Sequence, residues 1–498
     1  MSIHWPIIRA CLRAPRDVAI IDEQRSFRRL ELLAASLMLA DDVEERTTAP
    51  HVGIMLPATG VFALTAMALW TLGRVPVPLN FLLKPDELEY IIRDSEIDTI
   101  ITARPMLEYL GYTPRGAAIR LLEDVNFRHV PAPRWPRCTP GEHLGVLLYT
   151  SGTSGRPKGV MLSHDNVTSN VRQCIEHLGL RSGRGLTFLG ALPQFHIFGL
   201  TVLTVLPLTL GARVVYAPRF VPQKIVRLFR EHRPDVFIGI PAMYNALLQV
   251  HDASPDDFAS LRIAVSGGEP LPDAVADAFR QRFGVTIAEG YGLTETSPVT
   301  NWCRPDEFRP HSVGRPLPGI EQRIVDPETG RTLPPGRDGE VRIKGPNLMM
   351  GYFKQPRATA EMFDEQGFLR TGDIGRFDRD GHLSITGRLK EMLIIAGENV
   401  FPREIEEVLA RHPAVKAAGV IGRRDPVRGE IPIAFVELRE GASFDERDLR
   451  AFLRERLANF KIPHQIHPVE ALPRNPTGKL LRRELHALLD RPNPPTPS

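Results

Sequence analysis

The feature that most constrains this chain is the run Tyr149-Thr150-Ser151-Gly152-Thr153-Ser154-Gly155-Arg156-Pro157-Lys158-Gly159. Three glycines, four Ser/Thr hydroxyls and one lysine in eleven residues make a poor core and a good phosphate cradle. Glycine lets backbone N–H groups approach an anion closely, hydroxyls donate to phosphate oxygens, and lysine supplies charge. The run follows Leu144-Gly145-Val146-Leu147-Leu148, which reads as a buried strand. It precedes Val160-Met161-Leu162-Ser163-His164, a second apolar strand in which Ser163 caps a helix expected to open at Asp165. A phosphate loop between two strands of a nucleotide-binding enzyme is the first expectation. A Walker A loop is excluded, because that pattern needs Gly-Lys-Ser/Thr, whereas here Pro157 precedes Lys158 and Gly159 follows it.

A chain of 498 residues is too long for one core and is expected to form two or three domains. The net charge of +3 is spread over interspersed Lys, Arg, Asp and Glu, which argues against a dedicated nucleic-acid surface. Cys11, Cys138, Cys174 and Cys303 are scattered without metal-ligand spacing and read as reduced cytosolic thiols. The amino terminus lacks the basic-then-apolar layout of a signal peptide, so a cytoplasmic enzyme is expected. Residues 61–72 are apolar but short, and residues 197–210 are interrupted by Gly199, Thr201, Thr204, Pro207 and Thr209. Both read as buried elements rather than membrane spans.

Strand-like and amphipathic helical runs alternate over the first 300 or so residues, which predicts an α/β architecture. Arg213-Val214-Val215-Tyr216 reads as a strand, residues 222–231 as a helix, and Val236-Phe237-Ile238-Gly239-Ile240 as the next strand. Residues 130–143, rich in Pro and Arg, read as a surface connection. From about 312 to 387, short strands with Gly, Pro and Asp turns suggest a β-rich subdomain. Beyond it the pattern is α+β, with Pro402 as the first residue of a helix whose apolar face carries Ile405, Val408 and Leu409. The expected organisation is a large, multi-subdomain N-terminal domain over 1–389, a smaller mobile α+β domain over 390–489, and a disordered tail over 490–498.

Further segments need a joint explanation. Ser266-Gly267-Gly268-Glu269 follows the expected strand Arg262-Ile263-Ala264-Val265. Glu289-Gly290-Tyr291-Gly292-Leu293-Thr294-Glu295 follows an expected strand Val285-Thr286-Ile287. Glycines after a strand let the backbone approach a flat ligand or an anion. Tyr291 can stack on a nucleobase, Thr294 can reach a phosphate oxygen and Glu295 can hold Mg²⁺. Then come Thr371-Gly372-Asp373, Gly387-Arg388-Leu389-Lys390 and Pro473-Arg474-Asn475-Pro476-Thr477-Gly478-Lys479. Taken singly, Glu295, Asp373 and Lys479 read as a helix-start carboxylate, a turn residue and a surface lysine.

In this order and spacing the blocks resemble the adenylate-forming (AMP-binding) superfamily of acyl-CoA synthetases, peptide-synthetase adenylation domains and firefly luciferase. The resemblance extends from Val18 to Lys479. It implies a two-step reaction: a carboxylate attacks the α-phosphate of ATP to give an acyl-adenylate and pyrophosphate, then a thiol, commonly that of CoA, displaces AMP. It also implies residue roles. Thr150, Ser151, Gly152, Thr153, Ser154, Gly155 and Lys158 hold the β- and γ-phosphates. Thr294 and Glu295 serve phosphate and Mg²⁺, and Gly268, Glu269, Glu289 and Tyr291 border the nucleotide. Asp373 accepts the ribose hydroxyls, with Arg388 close by. Lys390 is the hinge of the C-terminal domain, Gly397 lies beside the pantetheine tunnel, and Lys479 bridges carboxylate and α-phosphate.

Pro193-Gln194-Phe195-His196-Ile197-Phe198-Gly199 resembles the segment that meets the substrate carboxylate. Amino-acid-activating members usually place an aspartate in this region to pair the α-ammonium. This stretch has His196 and no acidic residue, so fatty, aryl or small organic acids are expected instead. The pocket is expected near Tyr244, Gly267, Gly268, Gly290 and Val313, which favours an apolar tail. Glu269 stands where the family often has alanine. The residues 391–402 resemble CoA-ligase members, and Arg423 and Arg424 can meet CoA phosphates. The expected enzyme is therefore an ATP- and Mg²⁺-dependent acyl-CoA synthetase. The chain stops soon after Lys479, so any carrier-protein acceptor is expected to be a separate molecule. The alternatives are a ligase that loads such a carrier protein, and a binding-only relative.

Overall fold

The computed structural model describes residues 1–150, 156–180, 182–395, 398–425, 429–474 and 480–489. The chain divides into two compact units. The first comprises Met1–Gly268, Phe279–Glu321 and Ile343–Leu369, and the second comprises Glu269–Ala278, Gln322–Arg342 and the chain from Arg370 onward.

A nine-stranded sheet dominates the first unit. Its order is Arg315–Pro316, Val299–Trp302, Ala288–Gly292, Ile263–Ser266, Val236–Gly239, Thr187–Gly190, Arg213–Tyr216, Val18–Ile21 and Ser26–Arg28. The six strands from Ala288–Gly292 to Val18–Ile21 pair in parallel, and the outer pairings are antiparallel. Parallel strands need helical crossovers that cover both faces, which is why they read as continuous apolar runs. The helix Pro222–His232 is one such crossover, opened by Pro222 and buried through Ile225, Val226 and Phe229. Phe229, Phe237, Phe258 and Phe279 are fully buried in an edge-to-face cluster, each contributing about 2–3 kcal/mol by leaving water. A second, parallel sheet runs Val75–Pro78, His51–Met55, Thr99–Thr102, Ala118–Leu121.

Both apolar stretches are buried, as expected. Gly60–Thr71 is a helix buried nearly all round. Residues 197–210 break into a short helix Ile197–Leu200, a π-helical turn Thr201–Val205 and a helix Leu206–Leu210. Among the described residues no helix is long and apolar enough to cross a membrane.

Two expectations need correction. Residues 285–287 form no strand; the strand is Ala288–Gly292 itself. Parallel pairing with Val265 and Ser266 on one side and antiparallel pairing with Val299–Trp302 on the other draw Glu289, Gly290 and Tyr291 into the sheet. Tertiary hydrogen bonding here overrides local β-propensity. The stretch 312–387 is strand-rich, but its strands do not form one subdomain. Arg315–Pro316 joins the nine-stranded sheet, and Gly351–Tyr352 joins the hairpin of Leu144–Thr150 and Lys158–Ser163. Only Glu321–Val325, Gly339–Lys344, Leu369–Phe377 and Leu383–Arg388 make their own four-stranded sheet.

In the second unit, Glu398–Val400, Leu393–Ile395, Gly429–Leu438 and Val415–Asp425 form a sheet extended by Gln465–Val469. The helix Pro402–Ala410 begins at the expected proline and packs Ile405, Val408 and Leu409 into this unit's core. Residues 490–498 lie outside the described residues.

Candidate active site

The hairpin that frames the phosphate loop forms as its sequence suggests. Leu144–Thr150 and Lys158–Ser163 are antiparallel neighbours, with Thr150 opposite Lys158. Ser163 caps the following helix by accepting from Asn166 N at 3.0 Å; the helix begins at His164, one residue earlier than expected. Tyr149, at the foot of the loop, donates its hydroxyl to Asp94 Oδ2 at 2.6 Å. The loop residues Ser151, Gly152, Thr153, Ser154 and Gly155 lie outside the described residues, as do Gly397 and Lys479.

The other sequence-identified segments of this unit gather at the carboxyl ends of neighbouring parallel strands, where open α/β sheets bind their ligands. Thr187–Gly190 leads to His196, Ile263–Ser266 leads to Gly267 and Gly268, and Ala288–Gly292 carries Glu289 and Tyr291. Ser266 is the register partner of Glu289, which places the two glycine motifs side by side. Gly268 adopts φ +82°, a left-handed conformation that glycine takes without strain. Gly267 faces the Phe198 ring, where a Cβ would lie 2.9 Å from Cζ, so the His196 segment adjoins the same glycines. Thr294 and Glu295 lie on a 3₁₀ turn, Thr294–Thr296, directly after that strand. Glu269 belongs to the second unit.

Fixed polar bonds hold the His196 segment in place. The buried Gln194 accepts from Thr59 N at 3.0 Å and donates to Thr204 Oγ1 at 2.8 Å. Phe195 packs edge-on against Phe81, with ring centroids 5.0 Å apart. Burial pushes the His196 imidazole down to about 4, so it is neutral near pH 7. Its Nε2 is buried without a hydrogen-bond partner among the described residues. The buried nitrogens of His4 and His382 are in the same state. Tyr244, expected near the pocket, is instead a core residue. It is fully buried, its hydroxyl donates to Val265 O at 2.9 Å, and its ring packs on Phe237 and Phe279.

In the second unit, Asp373 and Arg388 are register partners on adjacent strands. Arg388 Nε lies 3.1 Å from Asp373 Oδ1, and the Asp373 side chain is only 5% exposed. Thr371 Oγ1 accepts from Asp373 N at 3.0 Å and donates to Val341 O at 2.6 Å, which fixes the chain on either side of Gly372. Lys390 follows on the 3₁₀ turn Leu389–Glu391. Burial and the neighbouring Arg388 lower its ammonium below the usual lysine range. Asp373, Arg388 and Lys390 are thus brought together.

Tyr352 escaped the sequence reading. Its hydroxyl donates to Glu295 Oε1 at 2.7 Å, and Lys158 Nζ sits 5.0 Å from its ring centroid. The only local signal is the dipeptide Gly351-Tyr352. Its partners lie 57 and 194 positions away, and nothing in local pattern links them.

An α/β sheet with glycine turns at its carboxyl edge and a hairpin framing a Ser/Thr/Gly-Lys loop are features of a nucleotide-binding enzyme. A model of AMP-binding enzymes matches residues 8–353, and a model of the AMP-binding enzyme C-terminal domain matches residues 404–479. The chain belongs to the AMP-binding enzyme family and is an AMP-forming acid–thiol ligase that uses ATP, CoA and a small carboxylic acid. It is 32% identical to a long-chain-fatty-acid–CoA ligase of Bacillus subtilis, over 87% of this chain and 85% of that protein. It is likewise 32% identical to a feruloyl-CoA synthase of Amycolatopsis, over 97% of each chain. The solved structure of ATP-bound MatB from Rhodopseudomonas palustris superposes with a TM-score of 0.88 at 30% identity, covering 98% of this chain and 99% of that one.

Proposed function

We propose that the enzyme activates a fatty or other apolar monocarboxylic acid and passes the acyl group to the CoA thiol. The observation that carries this reading is the uncharged surface around His196. The segment from Pro193 to Gly199 contains no acidic residue, and burial keeps the imidazole neutral. An α-ammonium group placed there would lose its hydration without gaining a counter-ion. Phe195, Phe198 and the bare backbone of Gly267 and Gly268 favour an apolar tail. The match to feruloyl-CoA synthase over 97% of both chains favours aromatic acids as the second reading within this class.

In the first step a carboxylate oxygen bonds to the α-phosphorus and pyrophosphate departs. In the second the CoA sulfur bonds to the carbonyl carbon, and AMP leaves with that oxygen while the thiol proton goes to solvent. Two anions must meet, so charge has to be neutralised first. Thr150, Lys158 and the loop between them would take the β- and γ-phosphates, and Thr294 an adjoining oxygen. Gly268, Glu269, Glu289 and Tyr291 would border the adenine, and Asp373 would take the ribose hydroxyls beside Arg388. The C-terminal domain over 390–489 would pivot about Lys390 between the two steps, bringing Gly397 beside the pantetheine arm.

Mg²⁺ fits this donor set. Among the described residues no three His, Cys, Asp or Glu side chains cluster as a metal cage, and Mg²⁺ in nucleotide sites commonly takes one or two carboxylates plus phosphate and water. Glu295 is the carboxylate that would hold it, and the ion would supply positive charge against the triphosphate. The four free cysteines support a reducing, cytoplasmic setting.

The test is ATP–pyrophosphate exchange across straight-chain fatty acids, hydroxycinnamic acids, dicarboxylic acids and α-amino acids. Within the preferred series, kcat/KM is expected to rise about threefold to fourfold per methylene until the pocket ends. An α-amino analogue of the best acid is expected to lose at least ~10²-fold. Preference for an α-amino acid or a dicarboxylate would contradict the reading. Exchange without CoA-dependent thioester would point to a carrier-protein acceptor.

A further inference from the structure

Between the phosphate-loop lysine and the 3₁₀ turn of Glu295 lies one side chain that touches both. Tyr352 is 6% exposed and donates its hydroxyl to Glu295 Oε1 at 2.7 Å. The face of the same ring carries the Lys158 ammonium 5.0 Å from its centroid, within cation–π range. The backbone around Tyr352 is tied to the same two elements. Gly351 and Tyr352 pair with Met161 and Val160 of the loop hairpin, and Phe353 N donates to Gly159 O at 2.7 Å. Met349 N donates to Glu295 O at 2.8 Å. Tyr352 N donates to Thr359 Oγ1 at 2.8 Å, which holds the strand from behind. Gly351 turns the chain at φ +139°, and a Cβ there would come within 2.6 Å of Thr359 Cγ2, so glycine is required for the tyrosine to reach inward.

We propose that Tyr352 is a positioning residue that sets the Glu295 carboxylate and the Lys158 ammonium in one fixed relation for Mg·ATP. The inference rests on the reading of Glu295 as the Mg²⁺ carboxylate. The Glu295 carboxylate, on a short turn, can rotate about three side-chain bonds. A hydrogen bond to Oε1 restrains that rotation and leaves Oε2 available to a cation, and a charge-assisted bond of this kind is among the stronger ones. Lys158, held over the same ring, keeps its charge at a set distance from the carboxylate instead of collapsing onto it. Such an arrangement preorganises two opposite charges before the triphosphate arrives.

The test measures ATP affinity by calorimetry with and without Mg²⁺, in the absence of any carboxylic acid, so no turnover is involved. For the wild-type protein Mg²⁺ is expected to tighten ATP binding. Tyr352→Phe keeps the ring and removes the hydroxyl; it is expected to shrink that Mg²⁺-dependent gain about tenfold. Its affinity for ATP without Mg²⁺ is expected to stay within about twofold of wild type, since the Lys158 contact survives. Tyr352→Leu is expected to weaken Mg²⁺-free binding as well, because the platform beneath Lys158 is gone. A wild-type Mg²⁺ gain in Tyr352→Phe would overturn the proposal. Glu295→Gln in the same assay separates the two claims. If it loses the gain while Tyr352→Phe keeps it, Glu295 stands and only the tyrosine's role falls. If Glu295→Gln also keeps the gain, the reading of Glu295 falls and takes the proposal with it.

Discussion

Replacing Lys479 with alanine is expected to slow acyl-adenylate formation by at least ~10²-fold, comparable to removing one preorganised donor from a transition state. Conversion of pre-made acyl-adenylate to thioester by the same variant should change far less. The asymmetry follows from where charge develops. Adenylation brings a carboxylate against an α-phosphate, and both carry negative charge until a cation lies between them. Thioester formation attacks the uncharged carbonyl carbon of the acyl-adenylate and expels AMP, so no carboxylate has to be brought against a phosphate. Lys479 itself is outside the described residues, but its flanks are held. Arg474 and Leu480 pair in an antiparallel bridge, and Leu481 N donates to Pro473 O at 2.8 Å. Arg482 binds Glu391 Oε2 and Glu406 Oε2, each at 2.9 Å. Arg482, on the carboxyl side of Lys479, is thereby tied to the residue directly after Lys390. The two half-reactions are separable by rapid quench, with ATP and acid in one case and synthetic acyl-adenylate plus CoA in the other. Equal losses in both would remove Lys479 from the role assigned to it.

Asp373→Ala is expected to weaken ATP binding on the order of 10–100-fold, the loss of hydrogen bonds from two hydroxyls to a charged acceptor. Asp373 is nearly buried, its geometry is set by Thr371 and by pairing with Arg388, and one face of the carboxylate is engaged at 3.1 Å. Asp373→Asn keeps one acceptor oxygen and should fall between wild type and alanine. The control is inorganic pyrophosphate, which lacks a ribose: its affinity should be unchanged in both variants. Unchanged ATP affinity in Asp373→Ala would take Asp373 out of the ribose site, and a matching loss for pyrophosphate would point to a general disturbance of the fold.

Much of this site was legible because its chemistry is concentrated in short runs. The Ser/Thr/Gly-Lys loop needs flanking strands to hold it, and Leu144–Thr150 and Lys158–Ser163 supply them on the two sides expected. Parallel core strands such as Arg213–Tyr216 announce themselves by unbroken apolar residues, and Pro402 marks a helix start by its fixed φ. What local pattern does not carry is which distant strand a segment joins. Ala288–Gly292, with two glycines and a glutamate, has poor β-propensity and is a strand only because neighbours on both sides satisfy its backbone. Gly351–Tyr352 looks like any turn-bounded pair until it is seen against Val160 and Met161. The sequence reading puts Tyr244 near the acyl pocket, whereas its side chain turns into the aromatic core. Tyr352 was missed for the same reason in reverse: its importance lies wholly in partners remote in sequence.

The central claim is that the acid is activated by bonding one of its own oxygens to the α-phosphate of ATP. It is tested most directly by supplying the preferred acid labelled with ¹⁸O in both carboxylate oxygens, together with ATP and CoA, and weighing the products. The expected result is one labelled oxygen in AMP for each thioester formed and none in pyrophosphate. Label in a free phosphate with ADP as the nucleotide product, or unlabelled AMP alongside labelled thioester, would contradict adenylation as the activating step.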